Sequence, residues 1–317
     1  MFKLVKKLPK KPVSLKNHFD RRNKVLIKRR AGGFGDILMQ RMMFEDFNKI
    51  NLDLTFACPQ HFLEMAKNHP FVKAIDISTI NETEYGAVYD ITTACRVHEM
   101  KYAPFCQDHR SDIWAAHCGV TLTNHNMFLT PQPEAIENCQ NYLKYINPQN
   151  KPIVILATKS GGDDADDFSK SKSLLDSQST ILVQEIRNLG LLPIAIHHEP
   201  QDIYSQLQVQ QFSLPIPEWI AMIDAANYVI SVDTATFHIA SGLKKPLVGI
   251  FSITQGLIYG KYYHTAEIVQ GQCPFSTPGC FLSSLCPSHE KTKPCLTELT
   301  NRIIKGFEKI LKRFPKN

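Results

Sequence analysis

Tyr228-Val229-Ile230-Ser231-Val232-Asp233-Thr234-Ala235-Thr236-Phe237-His238-Ile239-Ala240-Ser241-Gly242 reads as a buried strand that ends on an aspartate and passes at once into a helix. The near-continuous apolar run of residues 228–232 suits a strand covered on both faces, as in a parallel sheet. Residues 234–236 then open a helix whose first N–H groups have no partner inside it and whose dipole end is positive, which is what a diphosphate needs. Asp233 can accept hydrogen bonds from sugar hydroxyls, while Thr234, Thr236 and His238 can reach phosphate oxygens, with Ala235 keeping the turn small. The competing reading makes Asp233 the helix N-cap and His238 a packed core residue.

The same logic extends in both directions. Around this segment, 153–156, 192–196 and 246–251 read as strands, and 180–189, 217–226 and 236–242 as helices. Residues 299–314 place Ile303, Ile304, Phe307, Ile310 and Leu311 on one face of a closing helix. Upstream, strands at 25–28, 52–56, 72–77 and 87–91 alternate with helices from 37 and over 61–68. Alternating strands and helices predict an α/β protein with parallel sheets. The Pro-, Asn- and Gln-rich stretch 131–152, with one helical piece at 135–145, is the natural boundary. The chain therefore divides into a basic arm (1–24) and two Rossmann-like domains (25–145 and 146–317), with a site expected in the cleft at the carboxyl ends of the strands.

Length agrees, since 317 residues exceed what one compact core usually holds. The opening residues break their apolar run with lysines, so no secretory signal is expected, and the protein should stay inside the cell. The longest run without Asp, Glu, Lys or Arg, 268–289, contains Gly271, Pro274, Pro278, Gly279 and Pro287 and cannot be a membrane helix. The net charge of +6 is uneven: residues 1–30 hold 12 Lys and Arg against Asp20 alone, leaving 24 against 29 elsewhere. An arm of +11 is drawn to an anionic membrane face, a phosphorylated glycolipid or nucleic acid, or is simply a solvated tail. Nine cysteines, five of them scattered through the first half, suit a reducing compartment. Cys273, Cys280, Cys286 and Cys295 fall close together without a C-x-x-C pair, so ordinary thiols are expected there rather than zinc.

Two further strand ends carry chemistry. Gly32, Gly33 and Gly35 let the backbone turn tightly after the first strand, and Asp36 stands at the helix start as a base or a cap. A dinucleotide fingerprint would need glycine where Leu38 stands. After the strand at 153–156, Thr158 and Lys159 to Gly162 lead through Asp163, Asp164, Asp166 and Asp167 to Lys170 and Lys172, without a Walker pattern. A lysine there could neutralise a leaving diphosphate, the acidic run could collect a cation, or the whole could be a polar loop. Glu199, just past the strand at 192–196, could contact a ribose.

Residues 220–251, in which a strand ends in Asp233-Thr234 and a helix carrying His238 follows, resemble the longest signature of glycosyltransferase family 9, the heptosyltransferases of lipopolysaccharide inner core. Gly35-Asp36-Ile37 resembles that family's Gly-Asp turn, Lys170 or Lys172 its phosphate-side lysine, and Pro294-Cys295-Leu296 its cysteine-bearing tail. Ala235 stands where the family usually has glycine. The resemblance implies a GT-B fold and an inverting, metal-independent sugar transfer from a nucleotide diphosphate, with Asp36 as general base and no cofactor. Donor contacts are then expected from Thr158, Lys170, Lys172, Glu199, Asp233, Thr234, Ala235, Thr236 and His238. The acceptor is expected to be anionic, either a phosphorylated glycolipid or a hydroxylated base in DNA, and a non-catalytic nucleotide-sugar binder is the remaining alternative.

Overall fold

The computed structural model describes residues 22–103, 105–161, 171–272 and 294–315. The strands are β1 (Lys24–Lys28), β2 (Asp53–Cys58), β3 (Lys73–Asp76), β4 (Ala87–Asp90), β5 (Ile153–Ala157), β6 (Leu192–Ile196), β7 (Gln210–Phe212), β8 (Tyr228–Val232), β9 (Leu247–Phe251) and β10 (Ala266–Gln270). The longer helices among the described residues are α1 (Phe34–Arg41), α2 (Ala94–Tyr102), α3 (Arg110–His117) and α4 (Pro133–Ile146) in the first half. In the second they are α5 (Asp176–Asn188), α6 (Ile216–Ala225), α7 (Ala235–Gly242) and α8 (Leu299–Arg313).

Two sheets result, in the orders β3-β2-β1-β4 and β10-β9-β8-β5-β6-β7. Every neighbouring pair is parallel. This is the predicted α/β architecture with two parallel sheets. β5, β8 and β9 are buried along their whole length, as their apolar runs require. The order of each sheet reverses direction beside its first strand, so β1 and β5 sit at the switch points where parallel sheets open a crevice.

Several local details differ from the sequence reading, which also lacked the edge strands β7 and β10. The helix predicted from residue 37 starts at Phe34, because Gly33 takes an extended N-cap conformation and Asp36 in the first turn accepts its N–H. It tightens and stops where Met42 and Met43 bond back to Met39 and Gln40, and a separate short helix, Phe44–Lys49, follows. α5 begins at Asp176 rather than 180, with Gln178 Oε1 accepting the Leu175 N–H at the entrance and its Nε2 donating to Leu296 O, 2.6 Å away. α2 and α3 were not predicted at all. The helix of the predicted boundary, α4, packs on α6 of the second half, where Cys139 Sγ meets Glu218 O at 3.4 Å.

The halves share a continuous apolar core, which runs from Phe44, Phe56 and Trp114 to Ile155, Ile223 and Phe237. A second cluster under α8 and α5 covers the other face of the larger sheet. Arg41, buried at the end of α1, donates to Met127 O at 2.8 Å, Phe128 O at 2.7 Å, Met65 O at 3.1 Å, Ala66 O at 3.2 Å and Lys67 O at 2.8 Å. Burial lowers its pKa to about 10, still charged at neutral pH. Five backbone carbonyls, three at the end of the short helix Leu63–Ala66 and two in the 127–128 loop, thus depend on one guanidinium. Arg41→Met should destabilise the protein by about 3 kcal/mol, since it removes charged hydrogen bonds and strands buried acceptors. Urea unfolding measures this; an unchanged midpoint would mean that water takes the place of the guanidinium.

Candidate active site

The carboxyl ends of both sheets open into one cavity of about 670 Å³. The first half contributes Gly33, Phe34, Gly35, Asp36 and Arg110, and the second Lys159, Lys172, His197, Asp233 to Thr236, His238 and Tyr259. Asp36 and the start of α7, separated by about two hundred residues in the sequence, therefore face one space.

Asp36 reaches this place through a turn that tolerates little else. Gly32 has φ of +136°, and a Cβ there would lie 2.1 Å from Arg29 Nη2. A Cβ on Gly35 would lie 2.7 Å from His238 Cδ2. Gly33 has an ordinary φ of −106° and open space around it, so the need for glycine falls on Gly32 and Gly35.

Both oxygens of Asp36 are engaged. Oδ2 accepts from Arg29 Nη2 at 2.7 Å and from the Gly33 N–H at 3.3 Å, and Oδ1 accepts from Arg110 Nη1 at 2.8 Å. Burial alone would raise its pKa, but Arg110 and then Arg29 outweigh burial and hold the carboxyl below its usual range. Arg110 in turn makes a two-pronged pair with Glu99, at 2.6 and 2.9 Å, and lies over the Tyr259 ring. A carboxylate offers about four acceptor positions, and three are taken. The one left, on Oδ1, is available to a hydroxyl.

Asp233 is also buried and ionised. Its Oδ2 meets Lys172 Nζ at 3.0 Å and accepts from Thr254 Oγ1 at 2.8 Å, while Oδ1 lies 4.0 Å from His238 Nε2. Burial pushes its pKa up, and Lys172, together with His238 and the Thr254 hydroxyl, more than reverses this. Asp233 is not the helix cap: Thr234 holds the N-cap position of α7, and its side chain makes no capping bond there. His238 Nδ1 is 2.5 Å from Tyr263 Oη, and burial lowers its pKa to about 4, so the ring is neutral at pH 7.

The other expected donor residues separate. Lys172 lines the cavity already paired with Asp233. Thr158 is fully buried against Tyr204 and Ser179, at 2.5 and 3.2 Å, and is a core residue rather than a donor contact. Its neighbour Lys159, two residues past the end of β5, lines the cavity instead. Glu199 stands beyond the cavity wall, beside His198. Lys170, Asp163, Asp164, Asp166, Asp167, Cys273, Cys280 and Cys286 lie outside the described residues, as does the arm up to residue 21. Cys295 is buried.

Sequence reasoning missed Arg29, Glu99, Arg110, His197 and Tyr259. Arg29 had a signal, a cation closing an apolar strand just before the glycine turn; Arg110 had none, 74 residues from its partner. Among the described residues, His98, Cys106 and Asp108 have ligand atoms within 4.8 Å of one another. None of the three lines the cavity, and His98 Nε2 and Asp108 Oδ2 already pair at 2.7 Å. No helix among the described residues is long and apolar enough to cross a membrane.

Burial holds His69 and His109 down to about 3, and His197 and His238 down to about 4, from an ordinary 6.5. Between pH 6.5 and 4 the unfolded chain therefore binds protons that the folded chain refuses, so stability must fall as pH falls. Asp36 and Asp233, with depressed values, lose their contribution only below that window. In denaturant titrations from pH 7 to 4.5, His238→Gln should flatten the slope by about 1.4 kcal/mol per pH unit at the acid end. An unchanged slope would mean that His238 is protonated in the fold.

A search of curated proteins found no match. Residues 213–277 match the profile of glycosyltransferase family 9 (heptosyltransferase). Three solved structures share the fold over most of their length. A family 9 glycosyl transferase from Veillonella parvula has a TM-score of 0.70 at 13% identity, covering 93% of this chain and 98% of that one. ADP-heptose lps heptosyltransferase II of E. coli has 0.65 at 11%, covering 92% and 99%. E. coli heptosyltransferase WaaC, solved with ADP-2-deoxy-2-fluoro heptose, has 0.56 at 14%, covering 90% and 99%. With residues 213–277 matched and its two parallel sheets arranged as in these enzymes, the chain is similar to glycosyltransferase family 9 and has the GT-B fold of its heptosyltransferases.

Proposed function

We propose that this protein is an inverting glycosyltransferase that moves a sugar from a nucleoside diphosphate to an acceptor hydroxyl without a metal ion or cofactor. The observation that carries the reading is Asp36 facing, across one cavity, the start of α7 and the carboxylate of Asp233. The matched heptosyltransferase segment supports the same reading.

The acceptor hydroxyl hydrogen-bonds the open position of Asp36 Oδ1 and attacks the anomeric carbon from the face opposite the diphosphate. The bond from that carbon to the diphosphate breaks, and its electron pair leaves with the phosphate oxygen. Charge growing there meets the first N–H groups of α7 and its dipole, fixed donors that need no rearrangement as the bond breaks. Asp233 holds sugar hydroxyls through Oδ1. A carboxylate held below its usual pKa range is a weak base, which constrains the order of events. The hydroxyl becomes strongly acidic only once its oxygen bonds to the electron-poor anomeric carbon, so the proton moves late. Arg29 and Arg110 keep Asp36 ionised and aimed until then.

The +8 charge of residues 1–24, nine Lys and Arg against Asp20, supports an anionic acceptor, with a phosphorylated glycolipid at a membrane face favoured by the heptosyltransferase likeness and modified DNA as the other substrate to assay. The first experiment is a melting and hydrolysis screen over ADP-, UDP-, GDP- and CMP-sugars. One donor should raise the melting temperature and turn over; a folded protein that binds none of them would sink the reading. With that donor, Asp36→Asn should slow transfer by ~10²–10⁴-fold at nearly unchanged donor affinity. Binding without turnover in the parent protein, over both acceptor classes, would identify a sugar-nucleotide binding protein instead.

A further inference from the structure

His197 follows β6 directly and is 8% exposed, yet neither Nδ1 nor Nε2 has a hydrogen-bond partner. Buried polar side chains without partners are rare, and each costs about 1–3 kcal/mol, so one that lines a cavity points to a ligand. The ring is held flat on Tyr204, 5.1 Å between centroids and 20° between planes. Tyr204 is fixed by Thr158 at 2.5 Å. Burial, and then the nearby charge of Lys159, lower the His197 pKa to about 4, so at neutral pH one ring nitrogen donates and the other accepts. Leu214, Pro215 and Ile216 form an apolar wall of the same cavity, and the Trp219 indole N–H, also buried, is likewise unpaired.

Position narrows the ligand. In the sheet order β8-β5-β6, His197 stands two strands from Asp233 on the same carboxyl edge. Two strand spacings amount to ~10 Å, the kind of gap a ribose bridges between a diphosphate and its base. A flat heterocycle carries donors and acceptors around its rim, either of which one nitrogen of a neutral imidazole can meet, and it can lie against the apolar wall.

Resting on the donor-site reading above, we propose that His197 is the residue that selects the base: its imidazole hydrogen-bonds the edge of a nucleobase whose diphosphate lies at the start of α7. Trp219 contributes a second donor to the same pocket. Thr158 acts only through Tyr204, by holding the ring in its plane.

Calorimetric titration of the full chain with ADP, UDP, GDP and CDP, and with inorganic pyrophosphate as a base-free competitor, tests this. The parent protein should prefer one base by tenfold or more. His197→Phe keeps the ring but removes both nitrogens; it should reduce that preference at least tenfold and leave pyrophosphate competition within twofold. His197→Gln, which retains a donor and an acceptor, should restore part of the preference. Without ligand, His197→Phe should melt no lower than the parent, because it removes unpaired polar atoms, whereas a structural role would lower the melting point. A base preference unchanged in His197→Phe, or no preference in the parent, overturns the assignment of His197 while leaving the donor site standing. Failure of every nucleoside diphosphate to bind the folded parent overturns both.

Discussion

The approach of Gly35 to the ring of His238 is the contact on which the site depends. It sets α1 of the smaller sheet against α7 of the larger one, with no room for a side chain at position 35. His238 cannot easily yield, because Tyr263 holds its Nδ1 and the core surrounds it. The carboxyl ends of the two sheets are thereby held against one cavity. Tyr262 makes a second tie by donating to Asp112 at 2.5 Å and stacking on His125, 3.3 Å between centroids. A cavity built on two sheets otherwise has no reason to keep its two carboxylates in register.

Charge inside that cavity is balanced with little to spare. Among its lining residues and those just behind them, Asp36, Glu99 and Asp233 are offset by Arg29, Arg110 and Lys172, each pair at hydrogen-bond distance, and Lys159 at the wall pairs with Asp176 at 2.6 Å. The buried histidines that line it, His197 and His238, are held down to about 4 and add no charge at neutral pH. On the transferase reading, a diphosphate therefore enters a site whose cations are already committed, and the start of α7 is the group left to meet it. Lys172 can serve the leaving group only by sharing itself with Asp233. This differs from a lysine waiting in a polar loop, and on the proposed reading it would couple sugar recognition at Asp233 to stabilisation of the departing charge.

The alternation of strands and helices, the parallel sheets and the positions of β1, β5, β6, β8 and β9 were legible in the sequence, because buried strands announce themselves as apolar runs and helices by their caps and periods. α2 was not, and its burial explains why. It exposes Val97 and Met100 and buries Cys95 and Glu99, the reverse of the pattern that periodicity detects. Glu99 is inside because Arg110 is there to pair with it, a fact carried by no local segment.

The sequence by itself determined which strand ends reach the cavity, Asp233 before the α7 helix and Asp36 after the glycine turn, and a family likeness spanning residues 220–251. These are local features, written by backbone sterics and by the burial of consecutive side chains. Tertiary structure alone decided what those groups can do. It clamped Asp36 between two arginines, gave Lys172 to Asp233, turned Thr158 into the core and left His197 unpaired at the cavity wall. Pairing and burial set the charge state of an ionisable group, and both depend on side chains that meet only when the two sheets close on one another.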